Sequence, residues 1–448
     1  MDIDLNLPLQ VPCHVKSAQP EPQFLFLFHE PKYEDFFHHF LSKNGPCILS
    51  CGVTDKWDAC KNWVDARGEP DLQDICKYFG DIEVPVANCS EKYFDSQPKT
   101  QQTLDEYVTY MRQPNRQGCL YLKDWHLQRE QRLRRPDDPP FYRTPRLVAS
   151  DWLNEFWEAR PEKADDYRFV YVGVAGTWTP FHADVYRSFS WSANVCGAKR
   201  WILLPHGEEE KLRSLSGLPF DVASVLGAES ADQALGSKEL RAGIRSSDGA
   251  VEAGEDAVPL QPRTSADGVR YFDVRQEAGE VMFVPSGWHH QVWNLRDTIS
   301  INHNWFNASN IHLVCEHLMA SLADVRAELA DIADSSDEFL SQCQTLLRAT
   351  HGMDLAEMTE LLCFTISRRL AALAGGEPVM GLDGYRYGRG HLVYDVKCAS
   401  RELRRLLARE EFGRLEELRR WRTEAERLLE ELEVFDLTVD GTTDNDTV

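Results

Sequence analysis

The sequence predicts an α+β protein in which a sandwich or jelly roll of short strands follows a mixed N-terminal region and precedes a helical C-terminal one. Three observations carry this. Residues 167–305 hold closely spaced segments rich in aromatic and β-branched residues, each bounded by Gly, Pro, Asn or Asp. After Asn310 the strand pattern stops and apolar residues recur at helical spacing. Before residue 160, helix-like and strand-like segments alternate.

Residues 1–20 are polar and irregular, which predicts a loose arm. In the mixed region, residues 21–160, PKYEDFFHHFLSKNG reads as a helix ended by Gly45 and PCILSCGV as a buried strand. TLDEYVTYMRQ reads as a helix capped by Thr103, with Glu106 placed to complete a capping box. GCLYLKDW is a strand, and ASDWLNEFWEARP a helix capped by Ser150 or Asp151.

The strand-rich core, residues 161–310, contains YRFVYVGV, FHADVY, KRWILLP, VRYFDV, EVMFVP, HHQVWNL and TISINHNW. An Ala-, Gly-, Ser-, Asp- and Glu-rich stretch at about residues 216–268 interrupts the series. It reads as a long, partly disordered insertion because it has little apolar surface to bury. Residues 311–436 form helices, with most charges of the last one on a solvated face, and residues 437–448 a disordered tail.

The 448 residues are 42% hydrophobic and include 12 Trp and 21 Phe, ample material for a sizeable core. A net charge of −23 with no basic stripe argues against a nucleic-acid backbone as partner and suits a basic protein substrate. The 12 cysteines include no CxxC pair and are too scattered for a disulfide framework, so they read mostly as small buried hydrophobes in a reducing compartment. MDIDLNLPLQVPCHV has no apolar core of a secretory signal, and no run of ~18 apolar residues spans a membrane. A cytoplasmic protein, present also in the nucleus, is expected.

Two segments carry chemistry. TWTPFHADVY holds His182 and Asp184, which as i and i+2 of a strand would share one face. EAGEVMFVPSGWHHQVWNL gives a strand, a turn around Pro285 and Gly287, then His289 and His290 on a second strand. Either element alone is weak: a His-x-Asp triplet arises by chance, and adjacent histidines are often hydrogen-bonded core residues. Together, on strands of one jelly roll, they offer two imidazoles and a carboxylate. That set suits non-haem iron(II) and leaves neighbouring coordination positions open.

The ordered series HAD, GAKRW, GEVMFVPSGWHHQV and TISINHNW resembles the JmjC branch of the 2-oxoglutarate oxygenases over residues 167–305. The resemblance implies a double-stranded β-helix of the cupin type, with iron(II), 2-oxoglutarate and dioxygen as reactants. It selects His290 over His289 as distal ligand, beside His182 and Asp184. It also implies that Thr179, Lys199 and Tyr121 grip the distal carboxylate of 2-oxoglutarate, with Asn302 where close relatives often have Thr. The bland readings are a turn lysine for Lys199 and a core tyrosine for Tyr121.

A wider set including VPVANC, CLYLKDWHL, SDWLNEFW and FHADVYRSFSWSANVCG resembles the family's hydroxylases of a lysine in the eukaryotic translation release factor. Two rivals stand beside that expectation. One is an N-methyl-lysine demethylase acting on histones, against which the lack of a zinc-binding or reader module weighs. The other is a non-catalytic cupin scaffold. The helices after Asn310 are expected either to pack on the barrel or to form a homodimer.

Overall fold

The computed structural model describes residues 5–8, 23–163, 166–228, 230, 234–239, 257–332 and 336–435. The chain divides into two compact units, one of Met1–Lys16, Ala149–Ala159 and Phe306–Val448, the other of Ser17–Val148 and Arg160–Trp305.

The second unit is built on strands β1 (Phe24–Leu27), β2 (Cys47–Leu49), β3 (Glu83–Asn88), β4 (Lys99–Thr103), β5 (Leu120–Trp125), β6 (Arg168–Gly173), β7 (Trp178–His182) and β8 (Phe189–Cys196). It continues with β9 (Ala198–Leu204), β10 (Ala257–Leu260), β11 (Arg263–Thr264), β12 (Arg270–Glu277), β13 (Val281–Val284), β14 (His289–Asn294) and β15 (Thr298–Trp305). Among the described residues these make a ten-stranded sheet, β10-β1-β2-β13-β8-β15-β6-β5-β3-β4, and a five-stranded sheet, β11-β12-β9-β14-β7. The β1–β2 pair is parallel and the other pairs of named strands are antiparallel. Consecutive strands β12 to β15 alternate between the sheets, the winding expected of a double-stranded β-helix.

Apolar residues from both sheets, among them Phe24, Ile48, Leu203, Phe272, Val274, Met282 and Val284, form one buried cluster. Each such side chain contributes about 1.5–3 kcal/mol by leaving water. The helix at Leu104–Arg112 has its expected capping box: the Glu106 N–H donates to Thr103 Oγ1 at 3.3 Å and the Thr103 N–H to Glu106 Oε2 at 2.8 Å. Its Tyr107 hydroxyl donates to Val172 O at 2.5 Å, tying the helix to β6.

The structure departs from the sequence expectations at several points. Strand β7 ends at His182, so FHADVY is not one strand; Asp184 follows in extended backbone just before a 3-10 turn, Val185–Arg187, with Tyr186 and Arg187 at positive φ. The stretch at residues 216–268 is not wholly irregular. It contains a helix at Val222–Leu226 as well as β10 and β11, while residues 240–256 lie outside the described residues. Val222, Ala223 and Leu226 bury against Phe181, Ile202, Leu204 and Tyr271, a short apolar run that the surrounding composition hides. Within the arm, Leu5 is fully buried and exchanges backbone hydrogen bonds with Arg386 and Gly388 at 3.1 and 2.7 Å. Residues 9–20 of the arm and the tail at 437–448 lie outside the described residues.

The first unit holds helices Ile311–Glu328, Asp337–His351, Leu355–Leu373, Arg389–Leu407 and Glu416–Val434, with Trp152–Glu158 packed on Leu355–Leu373. The last charged run therefore splits at residues 408–415 instead of forming one helix. Arg369, fully buried, donates to Glu155 at 2.8 Å and to Asp395 at 3.0 Å, and the Tyr387 hydroxyl donates to Glu155 at 2.6 Å. Removing one member of a buried ionic set leaves an uncompensated charge, so this network locks the segment carrying Glu155 to its helices. No helix among the described residues is long and apolar enough to cross a membrane.

Candidate metal centre and its cavity

The site begins with a strand pair. β14 runs antiparallel to β7 with His290 directly opposite His182, and the register then slips before Val292. The two imidazoles consequently lie with ring centroids 4.4 Å apart. The extended backbone after β7 brings in Asp184, so that one ligand atom from each of His182, Asp184 and His290 lies within 4.8 Å of the others.

Hydrogen bonds orient all three. The Nδ1 of His182 lies 2.8 Å from Pro180 O and the Nδ1 of His290 lies 3.0 Å from Trp288 O. A carbonyl accepts only, so Nδ1 carries the proton and Nε2 keeps its lone pair. Ser190 Oγ donates to Asp184 Oδ2 at 2.7 Å. Burial, with His290 beside it, lowers His182 to about 4, so its imidazole is neutral near pH 7 and can ligate. This donor set fits a small divalent metal.

His289 points elsewhere. Its ring packs on Phe181, centroids 5.3 Å apart, and its Nδ1 lies 3.4 Å from Glu209. Arg187 reaches the same ring at 3.3 Å. The alternation of side chains along β14 thus assigns His290 to the cluster and His289 to a buried polar group on the other face.

A cavity of about 230 Å³ opens beside the three residues, and Tyr121, Thr179, Lys199 and Asn302 line it. All seven residues singled out in the sequence are therefore brought together. Lys199 is 2% exposed; its ammonium donates to Ser300 Oγ at 2.8 Å, and no carboxylate pairs with it among the described residues. Burial, reinforced by Lys123, lowers it to about 7. A buried cation without a counter-ion is costly, and a bound carboxylate would supply one. The Oδ1 of Asn302 is likewise buried with no partner among the described residues. The buried cation fits a small dicarboxylic acid, whereas this amide oxygen, an acceptor, calls for a donor.

Tyr121 reaches the cavity because residue 173 is glycine: a Cβ there would meet Tyr121 Cε2 at 2.7 Å, Thr177 Oγ1 at 2.6 Å and Asn294 Nδ2 at 2.2 Å. Gly173→Ala is expected to destabilise the protein by about 1–3 kcal/mol through overpacking. Thermal unfolding checks this, and an unchanged Tm would show that Tyr121 is not held so tightly.

Further residues join the cavity that lie inside the quoted segments without a role assigned to them: Lys123, Asp124, Tyr171, Ser190, Ser192 and Trp201. Lys123 and Trp201 had a readable signal, since each is i+2 from a singled-out residue, Tyr121 and Lys199, on the same strand. Asp124 had none. It sits at φ 60° where β5 and β6 slip register, accepts from the Tyr171 hydroxyl at 2.7 Å and pairs with Lys99.

Comparison with known proteins agrees with this geometry. The cupin-like domain family matches residues 33–311. The chain is 38% identical over 400 residues to the chicken (Gallus gallus) protein named 2-oxoglutarate and iron-dependent oxygenase JMJD4, covering 86% of this chain and 85% of that one. It is 39% identical to the human (Homo sapiens) protein of the same name, covering 86% and 84%. A more distant relative from Arabidopsis thaliana, 36% identical over 73% of this chain and 66% of its own length, is named arginine-specific demethylase JMJ20.

Proposed function

Because the chain belongs to the cupin-like, JmjC-type 2-oxoglutarate and iron-dependent oxygenases, alongside the JMJD4 proteins, we propose that it hydroxylates a lysine side-chain carbon in the eukaryotic translation release factor. The observation that carries the chemistry is the His182–Asp184–His290 cluster beside a buried lysine that pairs with no carboxylate among the described residues. The choice of substrate rests on the motifs shared with hydroxylases of that factor and on an acidic chain suited to a basic protein region.

In this reading His182 and His290 present Nε2, and Asp184 a carboxylate oxygen, to iron(II). When bound, the metal supplies dioxygen activation coupled to oxidative decarboxylation of 2-oxoglutarate. Pro180 O and Trp288 O hold the Nδ1 protons and so fix the rings. Lys199 meets the distal carboxylate of 2-oxoglutarate, and the hydroxyls of Thr179 and Tyr121 donate to it, with Asn302 closing the set. Trp191, Trp201 and Tyr171 wall the cavity and exclude water.

The pH dependence follows from Lys199. Its lowered value means the empty pocket loses this cation as pH rises through about 7. A dianion binding above that pH must restore the proton, so affinity for 2-oxoglutarate is expected to fall from pH ~7 to pH ~9, with proton uptake on binding. Calorimetry with manganese(II) in place of iron, in two buffers of different ionisation enthalpy, reads both quantities. A dissociation constant flat across that range would remove Lys199 from the contact.

The rival with an observation of its own is N-demethylation, favoured by the name of the Arabidopsis relative. Enzyme, iron(II) and 2-oxoglutarate incubated with the release factor and, in parallel, with methylated lysine and arginine peptides separate the two. The proposal expects a mass gain of one oxygen on a lysine-bearing peptide of the factor. Formaldehyde from a methylated peptide, with the factor unmodified, would replace it with the demethylase reading. We further place homodimer formation on the helices after Asn310 and the protein in the cytoplasm; a monomer mass by light scattering would overturn the former.

A further inference from the structure

The strand pairing that positions Tyr121 continues one step beyond the named strands. β3 and β5 pair Ala87 with Tyr121 and Asn88 with Leu120, so the next opposed residues are Cys89 and Cys119. The Cys89 N–H donates to Cys119 O at 2.7 Å, which ties the two backbones together at this step. Opposed residues of an antiparallel pair have Cα atoms about 4.5–5.5 Å apart. A disulfide needs about 4.4–6.8 Å, so the backbone already satisfies it.

The pair also has the right reactivity. Its neighbour Cys119, helped by the Lys123 ammonium, holds the Cys89 thiol below the usual thiol range against its burial. Cys47, Cys51, Cys60, Cys76 and Cys196 are instead pushed up by burial. Cys119 is half-buried and gives a small oxidant its approach.

We propose that Cys89 and Cys119 form a peroxide-sensitive dithiol that closes to a disulfide one step along the strand pair that carries Tyr121. The Cys89 thiolate attacks one oxygen of hydrogen peroxide. The O–O bond breaks, Cys89 becomes a sulfenic acid, and the departing hydroxide takes up a proton to give water. The Cys119 sulfur, losing its proton, then attacks Cys89 sulfur. The S–S bond forms as the S–O bond breaks, and the second hydroxide leaves as water with that proton. The two sulfurs together lose two electrons and the peroxide gains them.

The bridge bears on the cavity through two carbonyls. Cys89 Sγ donates to Trp178 O at 3.3 Å and Cys119 Sγ to Gly176 O at 3.5 Å, and both contacts lose their proton on closure. Trp178 precedes Thr179, and Tyr121 lies two residues after Cys119. Oxidation is therefore expected to raise the half-saturating 2-oxoglutarate concentration several-fold with little change in kcat. This consequence rests on the co-substrate pocket proposed above; the disulfide does not.

The test uses the full chain loaded with manganese(II), so that peroxide meets no ferrous ion. After equimolar peroxide, blocking with N-ethylmaleimide and digestion without reductant, the Cys89 and Cys119 peptides should appear linked, two hydrogens lighter than their sum, and separate with dithiothreitol. Cys119→Ser should instead leave a sulfenic acid on Cys89 that dimedone traps. Both cysteines alkylated as in untreated protein, or either bridged mainly to another cysteine, would overturn the proposal. Oxidised protein reloaded with iron then reports the 2-oxoglutarate dependence. A confirmed bridge with an unshifted dependence would overturn the coupling to the cavity and leave the dithiol standing.

Discussion

His182→Ala and Asp184→Ala are each expected to lower 2-oxoglutarate turnover by roughly 10³-fold or more, because each removes one of the three donors proposed for the metal. The fold should survive. Both positions are half-buried at the end of β7, and each loses only a local hydrogen bond, to Pro180 O or from Ser190 Oγ, worth about 1 kcal/mol. Asp184→Glu should fall between, keeping a carboxylate but displacing it along a longer stem. Turnover of 2-oxoglutarate together with thermal unfolding separates loss of the site from loss of the fold. Substantial decarboxylation by either alanine variant would mean that the metal is held elsewhere.

Lys199→Ala should act on the co-substrate and spare the metal. Lys199 is buried with Ser300 as its partner, so a bound carboxylate would lose its cation and keep its desolvation cost. Breaking such a buried pair costs about 3–5 kcal/mol, a rise in half-saturating 2-oxoglutarate of roughly 10²–10³-fold. Iron(II) affinity without 2-oxoglutarate should change little. Lys123, the other buried cation on this cavity, is the alternative holder, and an unchanged 2-oxoglutarate dependence in Lys199→Ala would transfer the role to it.

The ligand cluster was legible because its residues sit in short segments with strong local signals. HAD ends a β-branched and aromatic run, and VPSGWHH places a glycine at φ 76° in the turn that opens β14. The capping box at Thr103 and the helical spacing after Asn310 were legible for the same reason: each signal lies within one or two turns of chain.

The unread parts depend on neighbours distant in sequence. Strand β8, FSWSANVC, is absent from the segments named by composition, although Ser190 and Ser192 line the cavity, as Asn302 and Asn304 of β15 do. Polar residues turned inward on two paired strands invert the usual alternation, and that inversion marks a site once the pairing of Asn302 with Ser192 is known. Helix Val222–Leu226 was hidden by polar flanks. Its order comes from Ile202 and Leu204 beneath it and from Gln291, which accepts from the Val222 N–H at 2.6 Å. The partners of Arg369, Glu155 and Asp395, lie far along the chain, so its charge had no local mark as buried.

Which of the two adjacent histidines completes the cluster decides the metal assignment most directly. Anaerobic titration with iron(II) in the presence of 2-oxoglutarate, reading iron retained after desalting, compares His290→Ala with His289→Ala. The geometry predicts that His290→Ala loses stoichiometric iron while His289→Ala, altered only in the group against Phe181 and Glu209, keeps it. Iron retained by His290→Ala and lost by His289→Ala would contradict the site as described.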